Sequence, residues 1–156
     1  MKIAIFSDSH GNTMKMKDAL FHNKDIDYVF HLGDYVRDAL YLKTITDKPV
    51  KYVQGNCDSI NAPLEIIEEI AGKRFLATHG HKYSIKFGLD RLFYAAKEKD
   101  VHIVLYGHSH MPFCEEIEGI LFINPGSIGD KRWQPNESYA IVNIHGDHIQ
   151  VQTQEI

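Results

Sequence analysis

The chain has 156 residues, a length that suits a single domain spanning residues 1–156 with one full hydrophobic core. Its residues are 44% hydrophobic and 24% charged, which excludes disordered and collagen-like proteins. Seventeen lysines and arginines against 21 acidic residues give a net charge of −4, which argues against a broad nucleic-acid-binding surface.

The first half of the chain alternates strand-like and helix-like segments. Short runs rich in Ile, Val and Phe predict strands, and runs with apolar residues at helical spacing predict helices. In chain order we predict a strand at 2–7, a helix at 12–23, a strand at 28–32, a helix at 36–45 and a strand at 50–54. This βαβαβ order predicts parallel strands joined by right-handed crossovers.

The second half is richer in strands. Segments 64–70 and 74–78 predict a hairpin joined by Ala71-Gly72-Lys73, segment 89–99 predicts an amphipathic helix, and segment 101–106 predicts a strand. From Phe113 onward only strands are predicted, with turns at Glu118-Gly119 and Gly146-Asp147. Because α/β units precede a strand-rich half, we expect an α/β fold of two layered sheets with helices outside.

Two features bear on the compartment. The two cysteines, Cys57 and Cys114, cannot form a disulfide framework and are typical of a reducing compartment. The apolar run at residues 3–6 is too short for a signal peptide, and no run reaches the roughly 18 apolar residues of a membrane span. We therefore expect a cytoplasmic protein with no membrane partner.

Side chains able to bind metal follow five of the predicted strands. In chain order these are Asp8 and His10, then Asp34, then Asn56 and Asp58, then His79 and His81, and finally His108 and His110. Ligands bind α/β sheets at the carboxyl ends of the strands, so the five loops are expected to converge. Taken singly, the acidic and amide residues are equally well explained as helix caps or turn residues. The two His-x-His pairs are stronger, because alternate residues of an extended segment face one side.

The donor types indicate which metals fit. Carboxylate and amide oxygens mixed with imidazoles suit Mn, Fe, Zn or Co, and they argue against Ca or a Cys-based structural zinc. Seven side chains are too many for one tetrahedral ion, but they divide into two sets of four if Asp34 is shared. Two divalent ions about 3.5–4 Å apart clamp an in-line displacement at phosphorus. The positive charge of the two ions is larger than the negative charge of two carboxylates and a bridging hydroxide. The net positive charge that remains favours an anionic substrate.

With these motifs in this order, the chain resembles the calcineurin-like metallophosphoesterases, in particular the small YfcE-like bacterial and archaeal phosphodiesterases. The family signature is D-x-H, G-D, G-N-[HC]-[DE], a later His and G-H-x-H. It is matched here by Asp8-Ser9-His10, Gly33-Asp34, Gly55-Asn56-Cys57-Asp58, His79 and Gly107-His108-Ser109-His110. The resemblance extends from residue 3 to the loop at 124–127, and it implies a four-layer αββα sandwich of two mixed β-sheets flanked by helices.

The resemblance also implies a dinuclear centre. One ion would be held by Asp8, His10, Asp34 and His110, and the second by Asp34, Asn56, His79 and His108. The implied reaction is hydrolysis of a small phosphodiester by a metal-bridging hydroxide without a covalent phosphoenzyme, with Asp34, Asn56 and His79 as catalytic residues. We expect two divalent ions, Mn first and Fe, Zn, Co or Ni as alternatives. The resemblance further implies a homodimer or higher homo-oligomer.

Three neighbours of these residues are candidates for supporting roles. Cys57 stands where many family members have a histidine that is thought to protonate the leaving group. It acts either as a weak proton donor or as a small spacer, which predicts a preference for good leaving groups. Asp58 is expected to orient the loop of Asn56. His81 either orients a ligand or the substrate, or lies at the surface.

Other residues near the predicted site have simpler interpretations. His31 and His102 fall in strand patterns, so we expect them in the core or on a sheet face. Four cations near the site loops could face a substrate but are more simply explained as solvated surface charges: Arg37, Lys82, Lys131 and Arg132.

A non-catalytic scaffold is the alternative from another functional class, since the retromer subunit with this fold is one. Such a protein is expected to lose metal ligands, whereas all seven are present here. A dinuclear hydrolase of the metallo-β-lactamase fold would carry H-x-H-x-D-H in one stretch, and the chain has no such run.

Overall fold

The computed structural model describes all 156 residues and contains three α-helices and ten β-strands. The helices are α1 (Thr13–His22), α2 (Val36–Ile45) and α3 (Asp90–Glu98). The strands are β1 (Lys2–Phe6), β2 (Tyr28–His31), β3 (Val50–Tyr52), β4 (Glu65–Ile70), β5 (Lys73–Thr78), β6 (Ile103–Leu105), β7 (Pro112–Ile117), β8 (Ile120–Pro125), β9 (Ser138–His145) and β10 (His148–Glu155). Two short 3₁₀ turns, His81–Tyr83 and Ile85–Phe87, lie between β5 and α3. The elements predicted for the first half are confirmed to within two residues at each end.

The first sheet has the strand order β10-β9-β1-β2-β3. Strands β1, β2 and β3 are parallel, as the βαβαβ pattern predicts, and β9 joins β1 antiparallel. Parallel strands place the loops after β1, β2 and β3 at the same edge of the sheet. This edge is where the first three sequence motifs lie.

The second sheet has the order β4-β5-β6-β8-β7, with β5, β6 and β8 parallel and β4 and β7 antiparallel at its edges. The predicted hairpin of β4 and β5 is confirmed, and its turn consists of Ala71 and Gly72. Both residues have positive φ, at 51° and 74°, the backbone of a tight two-residue hairpin turn that matches the twist of the strands. Both sheets are therefore mixed.

The layers follow from which face each strand residue occupies. In β1, Ile3 and Ile5 face the second sheet, whereas Ala4 and Phe6 face α1 and α2. A strand covered on both sides has apolar residues at every position, which explains the unbroken apolar run in this strand. The outer face of the second sheet packs in the same way against α3 through Leu92. The expected four-layer αββα sandwich is confirmed.

Of the two histidines predicted from strand patterns, His31 lies where it was expected and His102 does not. His31 is fully buried at the end of β2, as expected of a core histidine. His102 is exposed and lies just before the shorter strand β6, where its Nδ1 accepts the backbone N–H of Arg74 at 2.9 Å. The placement of His102 on a sheet face was therefore wrong.

None of the helices has the length and apolar character needed to span a membrane.

Candidate metal centre

Five loops bring the predicted ligands together at the interface between the two sheets. The loops after β1, β2 and β3 of the first sheet carry Asp8, His10, Asp34 and Asn56. The loops after β5 and β6 of the second sheet carry His79, His108 and His110. The site therefore depends on the packing of one sheet against the other.

The first group of potential ligands consists of Asp8, His10 and His110. Their ligand atoms all lie within 4.8 Å of one another. Asp8 Oδ1 is 3.1 Å from His110 Nε2, and the rings of His10 and His110 have centroids 5.4 Å apart. All three side chains are partly or completely buried.

The second group is centred on His79, whose ring is fully buried. Its Nε2 lies 3.0 Å from Asn56 Oδ1, 3.2 Å from His108 Nδ1, 3.5 Å from Asp34 Oδ2 and 3.9 Å from Asp8 Oδ1. The second group thus contacts the first through Asp8. All seven predicted ligands lie in one continuous cluster.

Three atoms in this cluster are buried and make no hydrogen bond: Asp8 Oδ1, His10 Nε2 and His110 Nε2. An unpartnered buried polar atom is destabilising by about 1–3 kcal/mol, so three in one place call for a compensating partner. Asp8 Oδ1 and His110 Nε2 are close but not hydrogen-bonded, which is the arrangement of two lone pairs directed at one cation. The residues present therefore fit divalent metal.

In two of these histidines, the hydrogen bond made by Nδ1 determines the tautomer of the neutral ring. His79 Nδ1 lies 2.7 Å from the carbonyl oxygen of Leu32, and His110 Nδ1 lies 2.5 Å from that of Asp130. A carbonyl oxygen only accepts, so each Nδ1 carries a proton, and in the neutral form of the ring it is Nε2 that presents a lone pair to the cluster. Burial, with the neighbouring His79, lowers the pKa of His108 to about 4, so His108 is neutral near pH 7. Neutral imidazole is the form that binds metal.

The backbone of these loops departs from the sequence expectation. Asp8, His10, Asp34, His108 and His110 all have positive φ, between 45° and 67°. The interpretation of the His-x-His pairs as extended segments was therefore wrong. His108 and His110 are both left-handed, and in the other pair His81 begins a 3₁₀ turn after the left-handed Gly80. Non-glycine residues held in this region cost about 1–3 kcal/mol each and concentrate at functional sites.

Two glycines allow the loops to approach closely. A Cβ on Gly107 would lie 2.0 Å from Ser7 Oγ, and a Cβ on Gly55 would lie 2.1 Å from Asp34 Oδ1. Neither glycine has a positive φ that would by itself require glycine. They are needed because any side chain there would displace a neighbouring loop of the cluster.

Comparison with known proteins is consistent with this geometry. A family model for the calcineurin-like phosphoesterase superfamily domain matches residues 1–147. The chain belongs to this superfamily. The resemblance drawn from the sequence motifs is thereby confirmed.

Two calcineurin-like relatives and one solved structure illustrate the match. The probable metallophosphoesterase YsnB of Bacillus subtilis is 35% identical over 149 residues, which cover 94% of this chain and 86% of YsnB. The phosphodiesterase MJ0936 of Methanocaldococcus jannaschii is 30% identical over 145 residues, covering 81% of this chain and 83% of that protein. Vps29 of Entamoeba histolytica, solved in complex with zinc, matches with a TM-score of 0.80 over 100% of this chain and 98% of its own, at 20% identity. The last likeness shows the fold alone.

In this calcineurin-like phosphoesterase, Asp58 points away from the cluster and fixes the loops around it. Its carboxylate accepts the backbone N–H groups of Asp34 at 3.0 Å, Val36 at 2.6 Å and Gly55 at 2.8 Å. Three backbone donors on one carboxylate tie the loop after β2 to the loop after β3. Asp58 thus sets the spacing between Asp34 and Asn56.

Cys57 and His81 lie beside the cluster. The backbone N–H of Cys57 donates to Asp34 Oδ1 at 2.9 Å, and its side chain is exposed. Desolvation and the adjacent Asp34 carboxylate raise the pKa of the Cys57 thiol to about 11. The half-buried ring of His81 lies 5.3 Å from that of His79, and burial and His79 lower the pKa of His81. Cys57 therefore contacts the cluster twice, since its sulfur also accepts from Asn56 Nδ2 at 3.6 Å, whereas His81 Nδ1 is buried and makes no hydrogen bond.

A buried polar network lies behind the Asp8-Ser9-His10 loop of the phosphoesterase motif, and it could not be predicted from the sequence. Ser9 Oγ lies 2.8 Å from His31 Nε2 and donates to Asp38 Oδ2 at 2.7 Å, and Asp38 Oδ2 also accepts the N–H of Gly11 at 2.8 Å. Ser9 is the variable position of the motif, and Asp38 lies on α2, so no local pattern joined the three. Only the packing of α2 against the loop brings them together.

Proposed function

We propose that this protein is a metal-dependent phosphodiesterase that hydrolyses phosphodiester bonds at a dinuclear centre. The observation that supports this best is the set of buried, unpartnered ligand atoms on Asp8, His10 and His110. When bound, two divalent ions would supply Lewis acidity to the phosphoryl group and a metal-bridging hydroxide as nucleophile. Hydrolysis of a diester, as opposed to a monoester, is supported by the phosphodiesterase name of the M. jannaschii relative.

Ring proximity supports the division of the ligands into two sets. His10 lies beside His110, with ring centroids 5.4 Å apart, and His79 lies beside His108, with ring centroids 5.0 Å apart. We keep the assignment implied by the family: Asp8, His10, Asp34 and His110 for one ion, and Asp34, Asn56, His79 and His108 for the other. The sharing of Asp34 comes from the family resemblance, because in the structure the carboxylate common to both groups is Asp8, which lies with His10 and His110 in one and with Asp34 and His79 in the other.

Hydrogen bonds leave each carboxylate one oxygen for metal. Asp8 Oδ2 accepts from Ser7 Oγ at 2.6 Å and from the N–H of His108 at 3.1 Å, whereas Asp8 Oδ1 has no partner. Asp34 Oδ1 accepts the N–H of Cys57, whereas Asp34 Oδ2 faces His79. A shared Asp34 would therefore offer Oδ2 to the metals.

Asn56 would act on both metal and substrate, and His79 on the metal. Asn56 is exposed and its Oδ1 lies towards the cluster; one N–H of its amide donates to Cys57 Sγ at 3.6 Å, and the other is available to donate to a phosphoryl oxygen. His79 is held rigidly by the carbonyl oxygen of Leu32 and would keep its Nε2 on the metal throughout. Asp34, Asn56 and His79 are thus the proposed catalytic residues.

The leaving group receives little help from protein acids in this proposal. Cys57 has its thiol proton at neutral pH because its pKa is raised to about 11, and a thiol that weak is a poor general acid. The substrate's own leaving-group pKa would then control the rate. Hydrolysis of aryl phosphodiesters should be much faster than hydrolysis of alkyl phosphodiesters, and equal rates would contradict this part of the proposal.

The direct test is hydrolysis of bis-p-nitrophenyl phosphate by the purified chain with added Mn²⁺, beside an Asp34→Asn variant. We expect turnover that depends on metal, and a loss of at least about 100-fold in the variant, since metal catalysis supplies several kcal/mol. A matched control is Asp25→Asn, which changes an exposed carboxylate that pairs with Lys2. It should leave activity unchanged.

Two outcomes would overturn the proposal. Absence of metal-dependent turnover in the wild-type chain would favour the scaffold alternative. An Asp34→Asn variant that retained two bound ions and full activity would remove the bridging assignment. Repeating the assay with Fe, Zn, Co and Ni would show whether Mn is preferred.

A further inference from the structure

We propose that a pocket beside the metal centre binds an aromatic ring carried on one arm of the phosphodiester, so that the natural substrates have an aromatic or heteroaromatic ring on that arm. This inference rests on the proposed function, because it names the substrate class of the same site.

The pocket has a volume of about 530 Å³, which lies in the range of small-molecule sites. Tyr106 and Ile85 are buried in its wall, so the inner surface is fixed. Trp133 and Met111 also line it, and their side chains are 96% and 56% exposed. The pocket therefore combines a buried apolar wall with two largely exposed apolar side chains.

The pocket wall and the metal cluster are parts of the same loops. Ser109, between the ligands His108 and His110, lines the pocket. His110 Nδ1 is bonded to the carbonyl oxygen of Asp130, which belongs to the loop that carries Arg132 and Trp133. A phosphodiester held at the cluster would thus have one arm directed past His110 towards Trp133.

The chemistry of the walls favours a planar ring. An indole face stacks on aromatic rings, and a thioether contacts their edges favourably, so Trp133 and Met111 suit a ring better than a flexible alkyl chain. Lys86 and Arg132 also line the pocket, and their charges would attract an anionic ester. The pocket has no buried acidic residue that would repel it.

The opposite side of the cluster is different in character. A second pocket of about 440 Å³ is lined by the candidate ligand Asn56 and by other polar side chains, namely Gln54, Asp58, Asn61, His81 and Lys82. Its amides, its carboxylate and its lysine suit a polar arm with hydroxyl groups, such as a sugar. The two unlike pockets indicate an asymmetric diester whose aromatic arm lies against Trp133.

Trp133 provides a direct probe, because it is the single tryptophan of the chain. The experiment compares AMP with ribose 5-phosphate, which share a phosphorylated ribose and differ by the aromatic base. With Mn²⁺ present, AMP should quench the fluorescence of Trp133 and ribose 5-phosphate should not. AMP should also bind at least about fivefold more tightly, as expected for one stacked base.

Variants of the pocket residues then test whether the preference for AMP arises in this pocket. Met111→Ala keeps the tryptophan and should reduce the preference for AMP in the fluorescence titration. Trp133→Ala should abolish that preference when both compounds are measured as inhibitors of bis-p-nitrophenyl phosphate hydrolysis. Inhibition by ribose 5-phosphate should stay the same in both variants. The matched control is Phe87→Ala, which removes an equally exposed aromatic side chain that does not line this pocket.

The outcomes separate this inference from the proposed function. An inactive protein in which AMP still quenches Trp133 would overturn the phosphodiesterase proposal and leave the ring pocket supported. An active enzyme that binds AMP and ribose 5-phosphate equally would overturn the pocket. A dimer in light scattering that dissociates in Trp133→Ala would also overturn it, because the exposed indole would then belong to an interface between two copies.

Discussion

At the scale of single residues, hydrogen bonds on the outer side of each candidate ligand decide which of its atoms faces the cluster. Ser7 is a clear case, since its hydroxyl donates to Asp8 Oδ2 at 2.6 Å and leaves Oδ1 free. We expect Ser7→Ala to weaken Mn²⁺ binding about 10–100-fold, as removal of such supporting groups does. Calorimetric titration measures this, with Thr44→Ala on the exposed side of α2 as control. Equal affinities in all three proteins would contradict the orienting role.

A second prediction at this scale concerns pH. Burial lowers the pKa of His31 to about 4, whereas in the unfolded chain it is near 6.5. Between these values the unfolded state binds a proton that the folded state does not, so stability falls as pH falls from about 6.5 to about 4. The contribution is roughly 3 kcal/mol at most. In chelator-treated protein, urea unfolding from pH 4 to 7 should show a weaker pH dependence for His31→Gln. An unchanged slope would contradict this.

At the scale of elements, the ends of strands β1 and β6 come so close that only glycine fits between them. We expect Gly107→Ala to lose metal-dependent activity and stability, because its Cβ would lie 2.0 Å from Ser7 Oγ and 2.9 Å from Asp8 Oδ2. Gly72→Ala in the β4–β5 turn is the comparison, since its Cβ meets no atom within 4 Å and it introduces only backbone strain. Gly72→Ala should lose about 1 kcal/mol of stability and no metal affinity. Thermal unfolding and metal titration test both, and similar losses of metal affinity would refute the close-approach argument.

The sequence was most informative about the secondary-structure elements and their ends. The strands of the first sheet were predictable because their apolar runs are covered on both faces, and the candidate ligands predicted at strand ends do lie together in one cluster. The left-handed backbone of His108 and His110 was not predictable, because sequence patterns assume extended or helical geometry. The Ser9, His31 and Asp38 network was hidden as well, since its members lie in the loop after β1, on β2 and on α2 and meet only after packing. Local periodicity reports burial, whereas such contacts depend on tertiary structure.

At the scale of the whole molecule, the cluster joins two sheets that otherwise meet through apolar side chains. Phe30 of the first sheet stacks on Phe75 of the second, with ring centroids 6.0 Å apart. Above this core, the first sheet contributes candidate oxygen ligands such as Asn56, and the second contributes candidate imidazole ligands such as His108. Ions bound between them would therefore act as cross-links between the sheets.

This cross-link predicts how metal and stability are coupled. At about 100 times its dissociation constant, Mn²⁺ should stabilise the folded state by about 2.7 kcal/mol, which is roughly 5–10 °C in Tm for a chain of this size. Asn56→Ala removes a ligand of the first sheet and His108→Ala one of the second, so each should lose much of this gain. His148→Ala changes an exposed histidine at the start of β10 and should retain it. If Mn²⁺ raised the Tm of both ligand variants as much as that of the wild-type chain, the ions would not be held between the sheets. The two variants change one residue from each sheet. If both lose the stabilisation by Mn²⁺, the metal must be bound by residues of both sheets.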